Sequence, residues 1–410
     1  MVISPAEVLR KKTEAGAISP AEAGILRSYL FEVQSARGIQ ADTARTKTHM
    51  LCRALTPLHE AGATLDAITT DTALAAVASI RQSGKKQNYK KAIIGEFKAL
   101  LLWMIEEGHP DLNLMKIQKV KVPSMNWRTK TAADLPTKDQ ILTLIAACEN
   151  SRDRALLSIL YDGSNRPIEL RKLTWGDITL DQYGARFRTS CKTGFERRIR
   201  LTFSLPYLAA WKNDYPEEIT PDAPVFVTLR KYRGPDGRRR HLPITNSAVD
   251  YLVGRLKKKT GIDFHAYLMR HARISHDLED GYDQSYIMLK NWGHLKASML
   301  AIYGNPRAEI LEQEALAKAG LITPEDRQPR EEPIQSHQCP VCFETNAPTH
   351  ACCSSCGAPL TERARAAQEQ KTASILDAMN KDPRLALIDR KLEEFRRSLI
   401  ADLDQPLCPF

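Results

Sequence analysis

The chain has 410 residues, enough for two or three domains with cores of their own. No apolar run approaches the ~20 residues of a membrane span, and the opening MVISPAEVLRKKTEAG lacks a signal-peptide core. Membrane and secreted classes are thereby set aside, and a cytoplasmic, nucleoid-associated protein is expected. A net charge of +10 and a pI near 9.1 favour an acidic partner, and nucleic acid is the commonest.

In chain order, residues 18–118 are predicted helical. AEAGILRSYLFEVQSA, TARTKTHMLCRALTPLHEAG, TDTALAAVASIRQSG and YKKAIIGEFKALLLWMIEEG place apolar residues at helical spacing, and Gly or Pro ends most of them. DLNLMKIQKVKVPSMNWRTKTAADLPT has no such period and several lysines, which predicts an exposed linker, set at residues 119–136. Two helices follow in TKDQILTLIAACENSRDRALLSILYDG. DITLD, ARFRTSC and ERRIRLT then alternate like strands, predicting a small antiparallel sheet with a hairpin at Thr193-Gly194. Helical patterns return from about Asn246 to Gly320. A Pro-rich polar segment, residues 321–336, is predicted to be a second linker.

Three basic stretches, residues 84–91, 231–241 and 256–261, offer phosphate contacts that give affinity rather than sequence choice. For Lys257 to Lys259, solvated charge at a helix end accounts for the sequence at least as well.

Cys52, Cys148 and Cys191 are scattered and read as small buried or partly buried residues. Cys339, Cys342, Cys353 and Cys356 form CxxC, ten residues, CxxC, a spacing that sets four thiolates around one structural zinc. Such a module over residues 337–360 is too small to hold a core and is expected to need its metal to fold. Cys352 allows a slipped register and His350 is a remoter substitute ligand. The helical tail, residues 361–410, has Asp382 as N-cap and a stripe of Leu385, Ile388, Leu392, Phe395 and Leu399. Barely two heptads are present, so packing on its own domain is expected rather than a coiled coil between protomers.

The chemistry concentrates in HAYLMRHARISHDLEDGYDQSYIMLKNWGHLKASMLAIYG. Gly293-His294 precedes Tyr303 by nine residues, Arg270-His271 lies upstream, and Arg166 stands in YDGSNRPIELRKLTWGDI. Two arginines can hold and neutralise phosphate oxygens, and a tyrosine can supply an attacking oxygen. Taken singly, Arg166 reads as a surface partner of Glu169, Tyr303 as a packing ring, His294 as a helix-ending residue and Lys192 as solvated hairpin charge. Their joint order is what those readings leave unexplained.

Over residues 20–315 the chain resembles the tyrosine recombinases and phage-type integrases, most closely from Thr137 to Tyr303. GSNRPIEL matches the family's first-arginine motif, so the resemblance implies Arg166 as first catalytic arginine and Glu169 as its acidic support. It also implies Lys192 as hairpin lysine and general acid, Arg270 as second arginine, with His271 beside it, His294 as the Gly-His histidine, and Tyr303 as nucleophile. The family usually has histidine three residues before the second arginine, where this chain has Tyr267. A phenol with a pKa near ~10 is a poor base at neutral pH; either Tyr267 donates to the phosphate or His265 replaces the missing imidazole.

The resemblance further implies a mainly α fold with a small antiparallel sheet, comprising a helical core-binding domain (residues 1–118), the family's catalytic domain (137–320) and a zinc ribbon like that of archaeal or mobile-element versions. It implies double-stranded DNA as partner, a homotetramer on two sites, a 3′-phosphotyrosyl link, and no ATP or catalytic metal. The alternatives are a silent DNA-binding protein on the same fold and a topoisomerase-like or telomere-resolving activity.

Overall fold

The computed structural model describes residues 4–127, 130–181, 184–190, 195–234, 237–323, 331–381, 388 and 390–398. The expected hairpin tip with Lys192, Thr193 and Gly194, as well as Cys191, Asp382, Leu385 and Leu399, lies outside them. The chain divides into two compact units, residues 1–129 and 130–410. Among the described residues no helix is long and apolar enough to cross a membrane.

The first unit is helical throughout: α1 (Pro5–Glu14), α2 (Pro20–Arg37), α3 (Ala41–Glu60), α4 (Thr70–Gln82), α5 (Gln87–Glu106) and α6 (Leu114–Gln118). A capping box starts α2, where the Ser19 hydroxyl accepts from Glu22 N–H and the Glu22 carboxylate accepts from Ser19 N–H. The same buried carboxylate accepts from Leu65 N–H and pairs with His59, so one acid fixes three segments. The core centres on Leu26, Leu51, Leu55, Ile94, Phe97 and Leu100. The stretch expected as linker begins inside this core: Leu112, Ile117 and Val120 are buried. Three apolar residues are too few to show a period, so the sequence could not reveal that anchoring.

The second unit runs α7 (Lys138–Ala146), α8 (Ser151–Asp162) and α9 (Pro167–Lys172), then β1 (Ile178–Asp181), β2 (Gly184–Ser190) and β3 (Glu196–Leu201). The strands form one antiparallel sheet in the order β1-β2-β3, with Phe187 opposite Ile178 on one side and Ile199 on the other. Helix α10 (Leu205–Asn213) follows, then a two-stranded ribbon, β4 (Tyr232–Arg233) and β5 (Arg239–Arg240), in the basic stretch 231–241. The unit continues through α11 (Asn246–Thr260), α12 (Ala266–Glu279), α13 (Gln284–Trp292), α14 (Ala297–Tyr303) and α15 (Ala308–Lys318). Its core joins α7, α8, α10 and α11 to the inward face of the sheet.

The segment expected as second linker is tied down at its end. Glu331 accepts from Lys138 N–H and Nζ through its carboxylate and carbonyl respectively, and Ile334 packs on the core. The cysteine module, with β6 (His337–Gln338) paired to β7 (Thr345–Asn346), docks on the same unit. Ala347 is fully buried in that core, and Thr349 Oγ1 shares a 2.7 Å hydrogen bond with Tyr207 Oη on α10.

Helix α16 (Glu362–Lys381) is ~30 Å long at 1.5 Å per residue, and its apolar Ile375 and Leu376 are exposed. Beyond it Ile388, Leu392 and Phe395 are exposed too, at 51%, 59% and 65%. The expected packing of the tail on its own domain is thus not seen at these three described positions.

Candidate active site

Two tight turns of the backbone, at Gly163–Asn165 and at Gly293, help place the site in the second unit. After α8 the chain turns at Gly163-Ser164-Asn165. A Cβ on Gly163 would sit 2.2 Å from the Asn165 side chain, and Ser164 adopts φ +44°, a strained value for a non-glycine residue. The turn is held by its own contacts: Ser164 Oγ donates to Asn291 Oδ1, and Ser164 O accepts from Arg270 Nη1.

Arg166 is the N-cap of α9, with Pro167 in the first turn. Glu169 accepts its backbone N–H at 2.7 Å and its Nη1 at 2.8 Å. Burial works against the Arg166 charge, but the Glu169 carboxylate outweighs it and holds the guanidinium above its ordinary pKa. Glu169 is itself held from the other side by Arg197 Nη2 on β3.

Arg270 lies in α12 and is fully buried. Nη2 donates to Asn291 O at 2.7 Å, and the guanidinium lies 5.5 Å from the Trp292 ring and 5.3 Å from the Tyr303 ring. Nε has no hydrogen-bond partner among the described residues. Burial, then repulsion from Arg197 and Arg166, pushes the Arg270 pKa down to about 9. A buried cation answered mainly by carbonyls and ring faces is poised for an anion.

Tyr303 is the last residue of α14. Its ring stacks on His271 at 4.7 Å and lies 5.6 Å from Trp292, and its Oη shares a 2.5 Å hydrogen bond with Tyr267 Oη. Burial and the bond to Tyr303 push the Tyr267 phenol up to about 12, so it stays protonated at neutral pH. Burial pushes His271 down to about 4, which leaves it neutral.

Gly293 closes α13 at φ +73°, and a Cβ there would meet Glu196 O at 2.6 Å. Glycine is needed on both counts. The close approach brings His294 beside the start of β3, with its ring 5.0 Å from Phe195.

The structure thus gathers Arg166, Glu169, Tyr267, Arg270, His271 and Tyr303, with His294 at the edge. His265 is not gathered: it is the exposed N-cap of α12, and no contact links it to Arg270 or Tyr303 among the described residues. Though the residue as a whole is exposed, partial desolvation of its ring, then Lys130 and Lys257, lower its pKa. Sequence reasoning missed Arg197, Asn291 and Ser164. Arg197 had a signal, because strand alternation in ERRIRL places it on the inward face with Ile199 and Leu201.

The cysteines resolve into one set. Sγ atoms of Cys339, Cys342, Cys353 and Cys356 all lie within 4.8 Å of one another, with 3.5 Å between Cys339 and Cys356 and between Cys342 and Cys353. Tetrahedral zinc with ~2.3 Å bonds spaces its sulfurs by ~3.8 Å, so the donor set fits that ion. Val341 N–H and Asn346 Nδ2 donate to Cys339 and Cys353, each at 3.4 Å, as partners of thiolates do. Cys352 and His350 stand outside the set: Cys352 bridges to Pro359, and the His350 ring packs edge-on to Tyr207.

Residues 136–309 match the model of the phage integrase family. Transposase A from transposon Tn554 of Staphylococcus aureus is 26% identical over 222 residues, 50% of this chain and 55% of that protein. The chain thus spans about half the length of that relative. Tyrosine recombinase XerA of Pyrococcus horikoshii is 27% identical over 62% of this chain and 81% of its own. In fold, the chain resembles XerH site-specific recombinase bound to palindromic difH substrate (TM-score 0.52, 16% identity, 77% of this chain and 94% of that one). It also resembles the lambda integrase dimer bound to a COC′ core site (TM-score 0.52, 18% identity, 70% of this chain and 77% of that one).

Proposed function

We propose that this chain, whose residues 136–309 match the phage integrase family, is a site-specific DNA recombinase of the tyrosine type working through a covalent 3′-phosphotyrosyl intermediate. The observation that carries this reading is the seat of Tyr303 against the buried Arg270 guanidinium, which forms no ion pair among the described residues. Tyr303 Oη attacks the scissile phosphorus and loses its proton to water. The bond from phosphorus to the 5′ oxygen breaks, and that oxygen takes its electron pair and a proton from Lys192. Arg166 and Arg270 bind the non-bridging oxygens, whose charge grows in the transition state. Glu169 holds Arg166, and His294 donates to the phosphate. The phosphotyrosyl ester keeps the bond energy, so an incoming 5′ hydroxyl reverses the steps without ATP. A silent DNA-binding protein would have no need of this seat for Tyr303.

Tyr267 takes the position of the family's histidine as a donor. Its 2.5 Å bond to Tyr303 orients the nucleophile before substrate arrives, and it then turns to the phosphate. Tyr267→Phe is expected to slow single-turnover cleavage by about 10-fold to 10²-fold, the range for one lost donor, and Tyr267→His to keep most activity. Full activity of Tyr267→Phe would remove this role.

Duplex DNA is the partner, bound through the basic stretches, and the active assembly is a homotetramer on two sites. The four cysteines hold one structural zinc, which ties the two knuckles together and leaves no open coordination position. The test uses nicked duplexes drawn from the DNA flanking the gene, so that the leaving fragment diffuses away. An SDS-resistant protein–DNA adduct with a free 5′ hydroxyl is expected, in EDTA and without ATP. Elemental analysis should find about one zinc per chain, falling in Cys342→Ser. A strict magnesium requirement for the adduct would sink the metal-free chemistry, and protein purified without chelator yet lacking zinc would sink the zinc assignment.

A further inference from the structure

The cluster has a member that the family pattern in this sequence does not supply. Arg197, on β3, is fully buried. Its Nη2 donates to Glu169 Oε2, and its Nη1 donates to Lys290 O and Asn291 O, each at 3.2 Å. Asn291 O is also the acceptor of Arg270 Nη2 at 2.7 Å, and Glu169 is the acid that holds Arg166 at 2.8 Å. One guanidinium therefore touches the support of each site arginine without standing in for either.

Charge shows what this placement does. Arg166, Arg270 and Arg197 face one carboxylate, Glu169, among the described residues around the pocket. The next buried cation outward, Lys290, already has its own acid in Asp277 at 3.2 Å. Among the described residues, and apart from the proton donor Lys192, three cations against one anion leave two positive charges in excess. A phosphodiester carries one negative charge, and its pentavalent transition state carries two. Without Arg197 the Glu169 carboxylate would cancel half of what the two site arginines bring. In a buried pocket that loss is felt strongly, because little water is present to screen it.

We propose that Arg197 is a positioning residue that offsets Glu169, so that Arg166 and Arg270 present their full double charge to the scissile phosphate. This rests on the recombinase reading. Glu169 is then free to fix Arg166 in place without weakening it electrostatically. Arg197 touches neither substrate nor reacting atoms; it acts through Glu169 and the carbonyls at the end of α13.

A charge-compensation experiment tests this. Single-turnover adduct formation is measured for Arg197→Met, Glu169→Gln and the double variant, each below its melting temperature. Two nicked duplexes are used, one with a normal scissile phosphate and one with a methylphosphonate, which lacks one charge. Arg197→Met is expected to lose about 10²-fold on the phosphate and clearly less on the methylphosphonate. Adding Glu169→Gln should recover at least about tenfold of that loss, since it restores the excess of two charges. If Arg197→Met does not fold, the other arm of the cycle decides: removing Arg197 in the Glu169→Gln background should cost less than about tenfold. Equal losses on both duplexes, or no recovery in the double variant, would overturn the proposal and leave Arg197 a purely structural residue. Failure of the unaltered protein to form any adduct would instead overturn the recombinase reading.

Discussion

Tyr303→Phe is expected to bind DNA as well as the unaltered chain and to form no covalent adduct. The substitution removes one oxygen and leaves the ring, so its stack on His271 at 4.7 Å, its contact with Trp292 and its place over Arg270 all persist. The lost bond to Tyr267 costs about 1 kcal/mol of folding stability, while loss of a nucleophile commonly costs on the order of 10⁶ in rate. Electrophoresis of the trapped reaction in SDS separates the two effects. An adduct from Tyr303→Phe at ordinary yield would move the nucleophile elsewhere and dissolve the reading of the cluster.

Arg270→Met should show the opposite pairing of effects. Cleavage should fall by about 10³-fold or more, because a charged, forked donor to the phosphate is gone. The free protein should nevertheless melt no lower than the unaltered one. The Arg270 pKa is pushed down to about 9, below its unfolded value, so its charged form is disfavoured in the fold. For such a base, folding stability is lowest at pH values below about 9 and rises as pH climbs from there toward the unfolded pKa. Methionine fills a similar volume without charge and relieves repulsion from Arg166 and Arg197. Against this stands the loss of a donor to Ser164 O, about 1–3 kcal/mol. Asn291 O keeps Arg197. Removing a buried charge that has no ion-pair partner among the described residues outweighs one orphaned carbonyl. A melting temperature several degrees below that of the unaltered protein would refute this balance.

Much of this could be read from the sequence because the helices of both units follow apolar periods long enough to recognise. The resemblance then singled out Arg166, Arg270, His294 and Tyr303 by residue type and order. What escaped reading has physical reasons. Tyr267 and Tyr303 meet from two helices 36 positions apart, and nothing local marks a pair of phenols. His265 is set apart from that pair by its place at the helix start. At 100° per residue, Tyr267, Arg270 and His271 share one face of α12, while His265 precedes the helix as its N-cap. Arg197 sat in plain view among the arginines of ERRIRL, but a charge on an inward strand position reads as a register slip until its acid is known. In the tail, Ile388, Leu392 and Phe395 keep a helical spacing yet are exposed, so the period alone does not show what it faces.

The seat of Ala347 changes what the cysteine module is. By composition it looks like a detachable cartridge, joined to the catalytic unit by a polar tether. Yet Ala347 fills a place in the core of that unit, and Thr349 bonds to Tyr207 on α10. Cutting the chain after residue 336 would therefore uncover a hole in the catalytic body rather than trim an ornament from it. Anything that loosens the knuckles, oxidation of the thiols included, reaches the scaffold of α10 directly. The module is a plug, and evolution could exchange it only together with the socket it closes.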